Sequence, residues 1–164
     1  MNPFQTILWQ QFGGVIDMLE NAINKCNDEL WKEQTFWYNV YHTLFFLDYY
    51  LDENPDNFMP PPPFTLSEFD PDGALPERVY SKEELLIYLE YCRKKCHQFI
   101  SNADDDGMQK RWINPYRDYS FFEMIIYNMR HVQHHTGQLN LLIRQVQNEG
   151  AGWVSRTKKV IDYG

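Results

Sequence analysis

Residues 120–148, SFFEMIIYNMRHVQHHTGQLNLLIRQVQN, hold the pattern that decides the fold. Ser120 followed three residues later by Glu123 is a capping box, in which each residue's side chain satisfies a backbone amide of the other that the first helical turn leaves unbonded. Behind it, Phe122, Ile125, Met129, Val132, Leu139, Leu142 and Val146 return at helical spacing. They predict one long amphipathic helix to about Asn148, with Gly150 as its stop.

The same device opens another helix at Ser81 and Glu84, continued by Leu85, Leu89, Cys92, Cys96 and Phe99. Upstream, Phe4, Leu8, Phe12, Val15, Leu19 and Ile23 fall on one helical face behind the start signal Asn2-Pro3. From about Gln34 to Leu51, Trp37, Val40, Tyr41, Leu44, Phe45 and Leu47 make a broad aromatic and aliphatic face. No internal repeat and no β-hairpin signal is legible, so the expectation is an all-α chain of four helices.

The stretch from Asp52 to Tyr80 cannot be helix, because seven of the nine prolines lie between Pro55 and Pro76, including the run Pro60 to Pro63. A long connection lets a chain cross a bundle where a short one cannot. The predicted architecture is therefore a four-helix bundle over residues 1–150, with one Pro-rich crossover between the second and third helices. Residues 151–164 are expected to be a tail packing on or extending from the bundle, with Trp153 as its docking residue.

Composition narrows the function classes. A chain of 164 residues makes one domain, able to bury roughly two-thirds of its unfolded surface and to fold without a disulfide or metal. A metal found here would point to function first. A hydrophobic share of 43% with 16% aromatic residues excludes a disordered chain. The apolar runs 44–47 and 121–127 end at or contain Asp48 and Glu123, and neither approaches the ~20 residues of a membrane span. A net charge of −8 repels phosphate backbones and anionic membranes, so neither nucleic acid nor membrane is an expected partner. No Lys or Arg precedes Lys25, as a secretory leader would require, and three cysteines cannot all pair within one chain. A cytoplasmic location is the expectation.

Histidine carries the chemistry: three of the five fall within positions 131–135. At ~100° per residue, His131 and His135 lie one turn apart and about 40° around the axis, close enough to bind one ion. His131 with His134 is also feasible. Such a pair is completed from elsewhere in the fold, and His42, on the aromatic-rich second helix, is the best candidate, although a histidine there is also readily a core residue. Two other clusters read as structural. Asn102, Asp104, Asp106 and Gly107 fit the first half of a calcium loop, but Ile113 stands where a bidentate Glu is needed. Cys92 and Cys96, beside His97, continue an apolar stripe and read as buried thiols.

Residues 38–51, YNVYHTLFFLDYYL, together with 130–144, RHVQHHTGQLNLLIR, resemble the DinB-like, or YfiT-like, superfamily of small four-helix metalloenzymes, most specifically in the segment His131-Val-Gln-His-His135-Thr-Gly-Gln138. The resemblance implies that His42, His131 and His135 are the metal ligands, with His134 facing away or acting as a neighbour. It also implies thiol-dependent transferase or isomerase chemistry, in which one divalent ion activates a low-molecular-weight thiol toward a small electrophile. Zinc is the first expectation for the ion, and nickel also accepts imidazole. Hydrolysis by activated water is the competing chemistry on the same ligands, and a non-catalytic metal- or small-ligand-binding stress protein is the reading from another class. Tyr38, Tyr41 and Gln138 are candidates for supporting the ligands, and a homodimer is the expected form of any self-association.

Overall fold

Side-chain caps set where the helices begin. In the computed structural model, which describes residues 1–163, α1 (Pro3–Lys25) starts from Asn2, whose side chain accepts from the Gln5 amide while Gln5 reaches back to the Asn2 amide. Ser81 and Ser120 do the same with Glu84 and Glu123 for α4 (Lys82–Asn102) and α6 (Phe121–Gln147). The fourth long helix is α3 (Gln34–Tyr49). Two one-turn helices were not expected: α2 (Asp28–Lys32), capped by Asn27, and α5 (Asp105–Gln109), capped by Asp104. Asp104 therefore serves a helix start in the segment that half resembles a calcium loop.

The chain is mostly helical. α1 packs against α4 and α6, and α3 packs against the same two, so four apolar faces enclose one core. Phe12, Leu19, Leu44, Leu89, Val132 and Leu139 are among its buried members. Phe4 is the exception on the predicted face of α1: it is half exposed and rests on the ring of Phe122. α6 ends one turn before the glycine expected to stop it, because Asn148 itself takes the left-handed conformation at φ 56°.

Residues 111–120 add to the helices one short hairpin that no signal in the sequence announced. They form an antiparallel hairpin, β1 (Arg111–Asn114) with β2 (Arg117–Ser120), pairing Arg111 with Ser120 and Asn114 with Arg117. The usual glycine-containing turn signal is replaced by a side chain: Asn114 Oδ1 accepts from the amides of Tyr116 (2.9 Å) and Arg117 (2.8 Å). Trp112 anchors the hairpin, buried to 1% exposure and donating to the Asp52 carbonyl at 3.0 Å.

Between α3 and α4 the chain holds only two single helical turns, Pro55–Asn57 and Ser67–Phe69. Aromatic anchors fix it: Phe64 stacks on Tyr88 at 4.3 Å between centroids, and Phe58 packs on Phe45 and Tyr49. The C-terminal segment is held differently from the expectation. Trp153 is 76% exposed, and Thr157 makes the contact instead, its amide donating to the Gln10 carbonyl at 2.9 Å. The side chain of Thr157 fills the space a Cβ would need at Gly13, so this glycine permits close approach to α1.

Candidate functional site

The packing of α3 on α6 brings three imidazoles together. His42 comes from α3, and His131 and His135 from successive turns of α6. One ring nitrogen of each lies within 4.8 Å of the other two. Ring centroids are 5.4 Å apart for His42 and His131, 4.7 Å for His42 and His135, and 4.6 Å for His131 and His135. His134 is exposed and lies outside this group. Cys92 and Cys96 are fully buried in the core, while His97 sits against Trp9 and bonds Tyr163, so those three residues form no second site.

Hydrogen bonds orient two of the three rings. His42 Nδ1 donates to Glu68 Oε2 at 2.7 Å, and His135 Nδ1 donates to Gln138 Oε1 at 2.8 Å. With the proton on Nδ1, each ring keeps its Nε2 lone pair for a ligand, the usual support of a metal-binding histidine. Gln138 also donates through Nε2 to His134 at 3.2 Å, and Asn39 donates to Gln138 Oε1 at 3.4 Å, which fixes the amide. The third ring differs: His131 Nδ1 is buried with no hydrogen-bond partner. Such an atom calls for a partner, an acceptor where it carries the ring proton and a donor or positive ion where it does not.

Glu68 is the functional residue that sequence reasoning missed. Its side chain is only 4% exposed, and its second oxygen, Oε1, is buried without a hydrogen bond. Tyr41 fastens the chain just before it, donating its hydroxyl to the Thr65 carbonyl at 2.6 Å. Tyr41 thus positions the segment that carries Glu68. Tyr38 faces the Glu68 carboxylate, and burial together with that carboxylate pushes its phenol well above the usual range. Burial likewise raises Tyr41 to about 12, so both hydroxyls stay protonated.

Burial keeps two of the histidines neutral. Burial, followed by the nearby His135 and His42 rings, pushes His131 down to about 3. Burial, with His42 next, pushes His135 down to about 4. Neutral imidazole is the form that binds a metal, so no proton need be displaced from these two rings at neutral pH. A ring of aromatics surrounds them, with Phe46 centred 4.8 Å from His42 and 5.7 Å from His131, and Tyr50 5.8 Å from His131. One cavity of about 470 Å³ opens on His131 between Tyr127, Arg130, Gln133 and His134.

A mostly helical protein whose two packed helices converge three imidazoles, two of them oriented by hydrogen bonds, is the class that this fold and site define, and the cluster is compatible with a metal ion. A model of the DinB superfamily matches residues 11–139, and the chain belongs to that superfamily. The match spans the whole of α3 and α4 and runs past Gln138 on α6. No curated protein and no solved structure matches the chain. Among the described residues, no helix is long and apolar enough to cross a membrane.

Proposed function

We propose that this chain is a metalloenzyme built as a DinB-type four-helix bundle with a Pro-rich crossover, holding one divalent ion on His42, His131 and His135. The observation that carries the reading is the convergence of three imidazole rings, two of them with Nδ1 already engaged and the third with Nδ1 orphaned. Three neutral ligands leave the ion its full charge and an open position, as in catalytic rather than structural sites. When bound, the ion supplies Lewis acidity that favours the ionised form of a coordinated nucleophile.

The chain's own residues do the rest. Glu68 and Gln138 hold their rings in the ligating tautomer, Phe46 and Tyr50 exclude water from the flank, and the cavity at His131 gives a small molecule access. Zinc is the first candidate ion and nickel the second. The reaction proposed is transfer of a low-molecular-weight thiol to a small electrophile, in a cytoplasmic protein that acts on small molecules, not on nucleic acid or membrane, and that pairs as a homodimer.

The test is metal analysis of protein purified without a nickel column, with His42→Ala, His131→Ala and His135→Ala in parallel. One ion per chain in the wild type, and none in the folded variants, is expected; unchanged stoichiometry in the variants defeats the assignment. Thiols screened against electrophiles should then turn over only in the metal-loaded protein. Turnover of esters or amides without a thiol would replace transfer by hydrolysis, and a loaded ion without turnover of either kind would favour a binding protein.

A further inference from the structure

Phe46, Tyr50 and Glu68, which stand beside the histidines, also line a cavity of about 630 Å³ between the crossover and the hairpin, together with Tyr49, Phe69 and Arg117. That volume falls within the range of small-ligand sites, which pair apolar walls with a few placed polar groups.

Arg117 is the only cation in this lining, and it is held in place. Its guanidinium lies 5.7 Å from the Tyr50 ring centroid and 4.9 Å from that of Tyr127, and it donates to the Tyr127 hydroxyl at 2.7 Å. The Asn114 side chain fixes its backbone amide. Arg78, Arg93 and Arg111 each have a carboxylate partner; Arg117, Arg130 and Arg144 have none among the described residues, and of these three Arg117 alone is half-buried. A guanidinium anchored on aromatic faces with donors to spare is built to receive a carboxylate.

None of the acidic groups in the lining pairs with it. Glu68 gives Oε2 to His42 and keeps Oε1 buried without a hydrogen bond, and Asp70 accepts from the amides of Asp72 and Ala74 in its own turn. Asp56 stands exposed at the rim. We propose that this cavity binds a small organic acid with an aromatic or apolar body, its carboxylate paired with Arg117 and its body against the rings of Phe46, Tyr49 and Phe69. That the acid lies next to a metal-activated nucleophile rests on the function proposed above; the binding itself does not.

The test titrates phenylacetate, neutral phenylacetamide and cationic phenethylamine into the full chain by calorimetry, both as purified and after chelator treatment. Phenylacetate should bind at least tenfold more tightly than either of the others, with or without chelator. Arg117→Gln should weaken phenylacetate about tenfold or more, to the level of the amide, and leave phenylacetamide unchanged, which also reports that the cavity is intact. Phenethylamine binding as tightly as phenylacetate, phenylacetate binding unaltered in Arg117→Gln, or no binding of any probe would each overturn the proposal. Phenylacetate binding in a chain found to hold no metal would support it while defeating the metalloenzyme reading.

Discussion

Of the polar clusters that interrupt the apolar interior, two differ in what they lack. The first surrounds Arg93, whose side chain is fully buried and bonds three carboxylates: Asp17, Glu20 at 2.6 Å and Glu90 at 3.0 Å. It ties α4 to α1 and contains its own counter-charges. The second is the histidine cluster between α3 and α6. It leaves polar atoms unanswered: His131 Nδ1 and Glu68 Oε1 are buried with no hydrogen-bond partner. A buried polar group without a partner is unfavourable, so a complete cluster reads as structure and an incomplete one as a place for something from outside.

The largest break in that comparison is Arg93→Met. Removing the cation leaves Asp17, with 11% of its side chain exposed, facing the protein interior without its partner. Breaking such a pair costs about 3–5 kcal/mol. At roughly 2–4 °C per kcal/mol for a chain of this size, the thermal midpoint should fall by about 6–20 °C, with metal content unchanged. His131→Ala should do the reverse. At a metal concentration about 100-fold above its Kd, the wild type should gain about 2.7 kcal/mol, read as a rise in thermal midpoint over the chelated sample. The variant should gain nothing, and a metal-dependent shift that survives in it would mean that the ion binds elsewhere.

The two clusters also differ in how far the sequence announces them. The four long helices are legible because capping boxes and apolar spacing are local signals, strong at Ser81 and Ser120. The pairing of His131 with His135 is local too, since one helical turn separates them. His42 is not: far away in sequence, it joins them only because α3 packs on α6, and its place on an aromatic-rich helix made it a candidate that the family resemblance then turned into a ligand. Arg93 looks in sequence like part of a solvated basic run with Lys94 and Lys95, and only the approach of α1 buries it. The hairpin escaped because Asn114 makes its turn without glycine. Glu68 lies in a segment with no periodicity at all, placed by Tyr41, Phe64 and other anchors that act through tertiary contact alone.

Glu68→Gln sharpens the contrast with a smaller effect. The amide still accepts from His42 Nδ1 but removes the negative charge, so the ring becomes a poorer ligand. Metal affinity measured against a competing chelator should fall about tenfold, equivalent to about 1.4 kcal/mol. The corresponding change at the complete cluster, Glu90→Gln, should leave metal affinity unaltered. Equal effects of the two substitutions would show that Glu68 acts only as part of the packing.

The smallest effect expected is in the pH dependence of the metal-free protein. His131 and His135 have folded-state pKa values near 3 and 4 against an ordinary value of 6.5. Between those limits the unfolded chain binds more protons than the folded one, so stability is fully present above pH 6.5 and declines as pH falls toward 4. Below pH 3 these two groups contribute no further loss. Both rings are partly open to solvent, which reduces the effect to about 1 kcal/mol. Urea unfolding of chelated protein at pH 7 and pH 5 measures it, and the same pair of curves for the His131→Ala, His135→Ala double variant subtracts the titration of every other group. A shallower pH dependence in the double variant is expected. An identical one would mean that the rings are solvated enough to protonate freely in the folded chain, and the incompleteness that separates this cluster from the one around Arg93 would then be filled by water.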